Sequence, residues 1–510
     1  MSVPPLSAPP HTVVIGAGLG GLTAAALLLH AGQRVTVLES HIYPGGSAGT
    51  FFHKGFRFDA GATLAGGFAP GGPHARLAEI LDLEWPIKPV DPAWVVHLPD
   101  GRAVTQWADR EQWTAEWRAA FPRTAAFWRT QERLAEASWD IARRPFPWPP
   151  ESIRDFWTLA KALRPSTLPA LPYLFRTIGS VAATDDPLFK AFLDGQLLIA
   201  AQTTADYAHA LYGSAALDLP RRGVNHVRGG IGALAQTLVD WIRAHGGEVL
   251  FRQRVTQIEV QRGRATAVIT HKGQRFPGDA ILANLTPWAL ADLLGAQAPA
   301  RLQKEVAQRP PTWGAFTLYL GLDAARLPEL PAGHHQVIVD HTRPLGEGNS
   351  VFISLSDAAD DRRGPPGTRT ATLSTHTAVA PWWALRRAND ESAYLARRER
   401  YAARLLAAAD KAIPGLAQAA TLCLPGTPVT FEFYTKRPLG MVGGFPQTSL
   451  FQARGPGTGV GNLWLVGDSI FPGQSTAGVT LGGMRVATAV LQASPSSTRR
   501  WTTALSPAGD

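Results

Sequence analysis

A chain of 510 residues with a single cysteine, Cys423, cannot form an intramolecular disulfide or carry a CxxC redox or zinc motif. Packing alone must hold the fold, which suits a reducing, cytoplasmic compartment. The chain also lacks any uninterrupted apolar run of about eighteen residues, so no helix is expected to span a bilayer. Residues 1–11 have neither a basic start nor an apolar centre, and they read as a flexible proline-rich tail rather than a signal peptide. Residues 494–510 read as a second tail. Charged residues make up only 17% of the chain. The net charge is +9 and the pI near 9.9, yet no dense Lys/Arg block of the kind that tracks a phosphate backbone is present. Nucleic acid is therefore not an expected partner, whereas an anionic lipid surface is. Apolar residues are plentiful at 45%, enough for a large core divided among two or three domains.

The most informative stretch is Thr12 to Glu39. A β-branched strand, Thr12–Ile15, runs into Gly16-Ala17-Gly18-Leu19-Gly20-Gly21, then an apolar helix to His30, a strand Arg34–Leu38, and Glu39. Gly16 permits a tight turn, Gly18 lets the backbone approach a pyrophosphate, and Gly21 allows close helix–strand packing. The helix N-terminus offers N–H groups and partial positive charge to phosphates, and Glu39 stands where it can accept hydrogen bonds from a ribose diol. An acid at that position disfavours a 2′-phosphate and points to FAD or NAD over NADP.

Gly45-Gly46-Ser47-Ala48-Gly49 formally matches the GxSxG nucleophile elbow. An elbow serine sits directly between a strand and a helix. Here a Tyr43-Pro44 turn precedes Ser47 and strand-like sequence follows, so the paired glycines read better as a second backbone approach to the same dinucleotide.

With Leu38-Glu39, the Gly45-Gly46 pair and the run Gly55-Phe56-Arg57-Phe58-Asp59-Ala60-Gly61-Ala62-Thr63, the N-terminal third resembles the carotenoid desaturase and isomerase family of FAD-dependent oxidoreductases. Many phytoene-desaturase-type members have arginine after the double glycine, whereas this chain has Ser47, as do carotene isomerases and 3′,4′-desaturases. A second signature lies near the C-terminus. Asn462-Leu463-Trp464-Leu465-Val466-Gly467-Asp468 is an apolar strand ending in Gly-Asp, and Phe471 to Val479 leads into a glycine-containing helix. Asp468 is thereby offered to the ribityl or pyrophosphate end of FAD, and the helix beginning around Gly478-Val479 is aimed at the flavin ring. The resemblance also implies cofactor contacts from Ser40, Gly61, Ala62 and Thr63. It further implies that Val255 meets the adenine through its backbone and that Ala283-Asn284 lie near the cofactor.

The middle of the chain differs in composition. Seven of the sixteen tryptophans fall between Trp107 and Trp157, with Trp113, Trp117, Phe121, Phe127 and Trp128 at helical spacing. An aromatic helical core explains most of them. Between Arg143 and Arg176, however, Arg143, Arg144, Arg154, Lys161, Arg164 and Arg176 face only Glu151 and Asp155. Four excess positive charges near an anionic leaflet are worth on the order of 4 kcal/mol. With prolines interrupting it, this segment reads as an interfacial platform on the cytoplasmic side of a membrane.

From Arg222 the chain returns to the dinucleotide fold. A helix follows Gly229-Gly230, with Leu234, Leu238, Trp241 and Ile242 on one face, and strands are expected at 249–251, 255–260, 265–270 and 280–284. Alternating runs at 315–320, 337–339, 351–355, 371–375 and Val429 to Tyr434 predict a mostly antiparallel sheet, with a helix over Glu391 to Lys411. His334-His335 has no third ligand at a supporting spacing and reads as a surface hairpin. The fold class is thus α/β, a Rossmann-type FAD-binding domain of the glutathione-reductase and amine-oxidase kind. That domain is expected at 12–66, 222–312 and 455–492. The mixed-sheet substrate domain is expected at 67–106 and 313–454, and a helical membrane-facing subdomain at 107–221.

No acid/base pair stands out, which suits hydride removal from an allylic C–H of a polyene: the resulting cation is delocalised, and a weak base or water takes its second proton. The resemblance implies FAD-dependent desaturation of a C–C single bond in an acyclic C40 carotenoid, with quinone or O2 reoxidising the flavin. Gln202-Thr203-Thr204 and Gly440 to Ser449 most resemble a 3′,4′-desaturase. Three alternatives are a carotene cis/trans isomerase using reduced FAD, a non-catalytic lipid escort protein, and an amine oxidase. No cysteine suited to a covalent flavin link supports the last.

Overall fold

The computed structural model describes residues 8–144, 148–150, 153–162 and 164–493. Glu151, residues 1–7 and residues 494–510 lie outside the described residues, whereas His11, expected as the end of the N-terminal tail, opens the first strand. In chain order the elements that build the site begin with β1 (His11–Ile15), α1 (Leu19–His30), β2 (Arg34–Leu38), β3 (Thr50–His53), β4 (Phe56–Asp59) and α2 (Pro73–Leu81). A short β5 (Trp94–His97) and β6 (Ala103–Gln106) lead into the helices α3 (Arg110–Ala120), α4 (Ala125–Ala142), α5 (Ile153–Ala162), α6 (Pro187–Ala201) and α7 (Ala210–Leu217). Next come α8 (Gly232–Ala244), β7 (Glu248–Leu250), β8 (Val255–Gln261), β9 (Arg264–Thr270) and β10 (Ala280–Ala283). The last third holds β11 (Gly314–Asp323), β12 (His334–Ile338), β13 (Ser350–Leu355), β14 (Thr368–Thr377), α9 (Ala380–Arg387), α10 (Glu391–Ala412), β15 (Ala420–Gly426), α11 (Pro428–Thr435), β16 (Leu463–Leu465) and α12 (Thr476–Ala493).

The first sheet is parallel, in the order β7-β2-β1-β10-β16, with Ile15 level with Leu38 on one side and Ala283 on the other. Such a sheet is covered on both faces, so its strands are near-continuous apolar runs. Val13, Val14, Val37, Ile281 and Leu282 are fully buried. α1 packs against α12 and α8, and α2, which lies within the 67–106 stretch, also adds Leu77 and Leu81 to this core. Gly483 of α12 sits so close to Gly20 of α1 that a side chain there would run into the Gly20 carbonyl.

The second sheet has seven strands in the order β15-β11-β14-β13-β12-β5-β6. All its pairings are antiparallel except β12 with β5. α10 closes one face, with Tyr401, Leu405 and Ala409 buried against Phe316, Leu318 and Leu373. Trp117, Phe121, Phe127 and Trp128 of the helical layer lie in a further core with Phe189 and Phe192, so the helical spacing of these aromatics marks interior packing.

Two sequence expectations are corrected. The stretch Val429 to Tyr434 alternates like a strand but forms α11. Thr427 caps the helix, accepting from the Thr430 N–H while the Thr430 side chain reaches back, and Pro428 occupies the first turn. That local capping chemistry outweighs the period-two pattern. His334 and His335 are not a surface hairpin; both are buried in β12, inside the seven-stranded sheet. Among the described residues no group of three or more metal-capable side chains is assembled there.

These histidines tie stability to pH. Burial lowers His334 to about 3 and His335 to about 4, so both are neutral when folded. Unfolded, they titrate near 6.5, and between that value and about 4 the unfolded chain binds more protons. Stability is therefore expected to fall as pH drops through this window. Denaturant midpoints measured from pH 8 to 4 check it, and His335→Gln should flatten the curve.

Candidate functional site

One cavity of about 1780 Å³ runs from the glycine turn of the parallel sheet to the seven-stranded sheet. At its first end the turn after β1 uses Gly16 at φ +93°, and α1 starts at Gly18 with no side chain capping its N-terminus. The first-turn N–H groups are thus left for an anion. Gly18 forms a bridge with Gly45, so the two glycine segments lie side by side. A side chain on Gly45 would strike the Ala48 carbonyl at 2.7 Å, and one on Gly21 would meet the Gly16 carbonyl at 2.7 Å.

Glu39 is buried at the end of β2. One oxygen accepts from the Ala17 N–H at 2.8 Å; the other accepts from the His41 N–H at 2.7 Å and the Ser40 hydroxyl at 3.1 Å. A carboxylate has about four acceptor positions, so capacity remains for a diol. Tyr43, Gln253 and Val255 line the same part of the cavity.

Gly46, Ser47, Asn284, Gly467 and Asp468 line the next part. Ser47 lies in the 3-10 turn Gly46–Ala48 and is followed by β3, so it is not an elbow serine. The Asp468 carboxylate receives Arg437 at 2.8 Å, and Arg437 also donates to the carbonyls of Met441 and Gly443. This cation beside the second signature gives no sign of itself in sequence.

Gly61, Ala62, Thr63 and the first turn of α12, with Thr476, Ala477 and Val479, also line the cavity. Of the residues that sequence brings to this site, Ala17, Gly21 and Gly478 lie behind its wall. Ala17 holds Glu39, Gly21 seats α1, and Gly478 starts α12 against the Gly473 carbonyl.

The 60–63 loop is held from behind. Arg363 makes a two-pronged contact with Asp59, with three N–O distances of 3.0 Å and both side chains at least nine-tenths buried. Asp59 also accepts from the Ile231 N–H at 2.9 Å and the Thr50 hydroxyl at 2.8 Å. Tyr319 of β11 donates to the Ala60 carbonyl at 2.6 Å. The loop is thereby tied to the start of α8 and to the seven-stranded sheet. Near its other wall, His376 is pushed down to about 4 by burial and is therefore neutral, within 3.3 Å of Gln202. Gln474 donates to the Ile199 carbonyl at 2.8 Å.

An uncapped helix start, a second glycine segment beside it, an acid with acceptor capacity to spare and a second helix start, all lining one cavity, suit a flavin dinucleotide such as FAD. Residues 19–491 match the family described as flavin containing amine oxidoreductase. The chain is 28% identical to a chloroplastic prolycopene isomerase of Arabidopsis thaliana, over 93% of this chain and 81% of that protein. It is 25% identical to a neurosporene-forming phytoene desaturase of Cereibacter sphaeroides, over 94% of each. A solved oxidoreductase from Methanosarcina mazei shares the fold at TM-score 0.61 and 20% identity, covering 94% of this chain and 100% of its own. Putrescine oxidase bound to putrescine does so at TM-score 0.62 and 16% identity, covering 95% and 99%. The chain belongs to the flavin-containing amine oxidoreductase family, and its relatives include carotenoid isomerases and desaturases.

Proposed function

We propose that this protein desaturates a C–C single bond of an acyclic C40 carotenoid, most specifically at the 3′,4′ position. The carrying observation is the cavity: about 1780 Å³ in one continuous space, beyond the 300–1,000 Å³ typical of a single small ligand. FAD and a long polyene would share it. Bound FAD supplies the acceptor for a hydride, with quinone or O2 reoxidising it afterwards. The chain's own task is alignment and exclusion of water. Neutral His376 and Gln202 present no strong acid that would protonate a polyene, and Asp468 is neutralised by Arg437. The Gly18, Gly45-Gly46 and Gly467 backbones would hold the pyrophosphate, Glu39 the ribose, Val255 the adenine, and the 61–63 loop and α12 start the ring.

Similarity to prolycopene isomerases supports a second reading, cis/trans isomerisation with no net redox change. Expression in a carotenoid-producing host distinguishes the two. Loss of two hydrogens with a red-shifted pigment supports desaturation; altered absorbance at unchanged mass overturns it in favour of isomerisation.

The same reading places the protein on a membrane surface, on the cytoplasmic side. No helix among the described residues is long and apolar enough to cross a membrane. Ile153, Phe156 and Trp157 of α5 are exposed, as are Leu168, Phe175 and Phe451, with the last two rings stacked at 5.3 Å. Lys161, Arg164 and Arg176 are exposed in the same stretch. Replacing Phe156 and Trp157 with serine is expected to lower partitioning onto anionic vesicles at least tenfold in flotation assays, with little change in folding.

A further inference from the structure

The Lys and Arg side chains lining the cavity, among the described residues, are Arg254, Arg386, Lys436 and Arg437. The first three are exposed, whereas only 18% of the Arg437 side chain meets solvent. A guanidinium withdrawn this far from water costs free energy unless its N–H groups are used. Nε donates to the Met441 carbonyl at 2.9 Å, Nη1 to Asp468 at 2.8 Å and Nη2 to the Gly443 carbonyl at 2.7 Å. One N–H on each terminal nitrogen is left without an acceptor among the described residues.

The chain is wound tightly around this group. Lys436, Leu439, Gly440 and Gly443 all have left-handed backbone, at φ +57°, +59°, +67° and +69°, and the first two are not glycine. Side chains hold that conformation only where their surroundings enforce it, and such positions cluster at binding sites. Asp468, which fixes the guanidinium, directly follows Gly467, and Gly467 lies against the start of α1: a side chain on Gly20 would come within 3.3 Å of the Gly467 Cα. Arg437 is thus tied to the turn whose first N–H groups are left for an anion. A pyrophosphate there is a dianion, and the buried carboxylate lining the same cavity, Glu39, only adds to its charge.

From this we infer that Arg437 is the cation of the pyrophosphate seat, its two remaining N–H groups binding phosphate oxygens of the dinucleotide. Asp468 and the carbonyls of Met441 and Gly443 set the angle of the fork. A planar guanidinium with paired donors suits a phosphate as a single ammonium does not. The start of α1 supplies partial positive charge to the same group, and Arg437 supplies a full one. The inference needs FAD as the cofactor and is independent of which polyene reacts.

The test uses the full-length holoprotein and two competitors, ADP and adenosine, which differ only in the diphosphate. Each is titrated against bound FAD and the released flavin is read by fluorescence; where FAD is held too tightly to displace, the same two affinities are read by calorimetry on the full chain stripped of FAD. The wild-type protein is expected to prefer ADP. Arg437→Gln is expected to lower that preference about tenfold or more, and Arg437→Lys, which keeps the charge without the fork, by less. Taking the ratio of the two affinities cancels any loss of folded protein. Lys436→Gln, at the exposed neighbouring cation, should leave the ratio within about twofold of wild type. Equal binding of ADP and adenosine to the wild-type protein overturns the inference. Weaker FAD binding by Arg437→Gln with an unchanged ratio overturns it as well, since Arg437 is then only a prop for Asp468 and the turn. An equal fall for Lys436→Gln does so too, by making the effect one of general surface charge.

Discussion

Arg363→Met is expected to cost about 3–5 kcal/mol of folding stability, because it strands the Asp59 carboxylate in the interior without its cation. The loss should reach the cofactor. Asp59 ties Thr50, the start of α8 and the seven-stranded sheet together immediately before the loop 60–63. With that knot loosened, purified protein should lose FAD on gel filtration, visible as a fall in absorbance near the flavin bands relative to protein. Arg363→Lys keeps the charge but not the fork, and should retain more flavin while remaining less stable than the parent. A double replacement, Asp59→Leu with Arg363→Met, removes both charges and should destabilise less than the sum of the single changes. Urea denaturation of the parent, Asp59→Leu, Arg363→Met and the double variant measures the coupling. If Arg363→Met matches the wild type in both midpoint and flavin content, the clamp has no role in holding the loop.

The second large effect is expected at Gly21. A side chain there begins 2.7 Å from the Gly16 carbonyl and 3.0 Å from the Asn284 β-carbon, and a backbone carbonyl cannot swing aside as a flexible side chain can. Gly21→Val must push α1 away from β1. That displaces the first-turn N–H groups from the place where Gly18 and Gly45 meet, and the expected product is colourless protein with FAD affinity reduced at least a hundredfold. Fluorescence of flavin released by heat, measured against protein concentration, reports the occupancy. Gly32→Ala serves as a control, since open space surrounds that position although its φ of +87° costs some strain.

The parallel sheet was legible in sequence because its information is local. Apolar strands, a glycine turn and an acid occur within 28 residues, and Ile15, Leu38 and Ala283 end their strands level with one another, as an α/β site requires. The aromatic spacing of α3 and α4 was legible for the same reason. What escaped was set at a distance or by competition between local signals. Arg363 meets Asp59 from 304 positions away, and neither residue carries a pattern that names its partner. Arg437 beside Asp468 is a similar case. In α11 both signals were present, and the capping pair Thr427 and Thr430 with Pro428 prevailed over alternation. The burial of His334 and His335 follows from β5 joining β12, a pairing between distant segments that no window around the histidines contains.

The order β7-β2-β1-β10-β16 also has a consequence for synthesis. β1 and β2 emerge first, but β10 reaches its place beside β1 only after residue 283, and β16 and α12 only after residues 465 and 493. A nascent chain therefore carries a finished glycine turn long before it carries the helix start that faces it. FAD capture is therefore expected only after β16 and α12 have been made. Until Leu463 to Leu465 are made, β10 is an open strand edge next to that turn, ready to pair with another unfinished copy. Slow translation through the 284–462 stretch would thus be expected to favour aggregation over assembly.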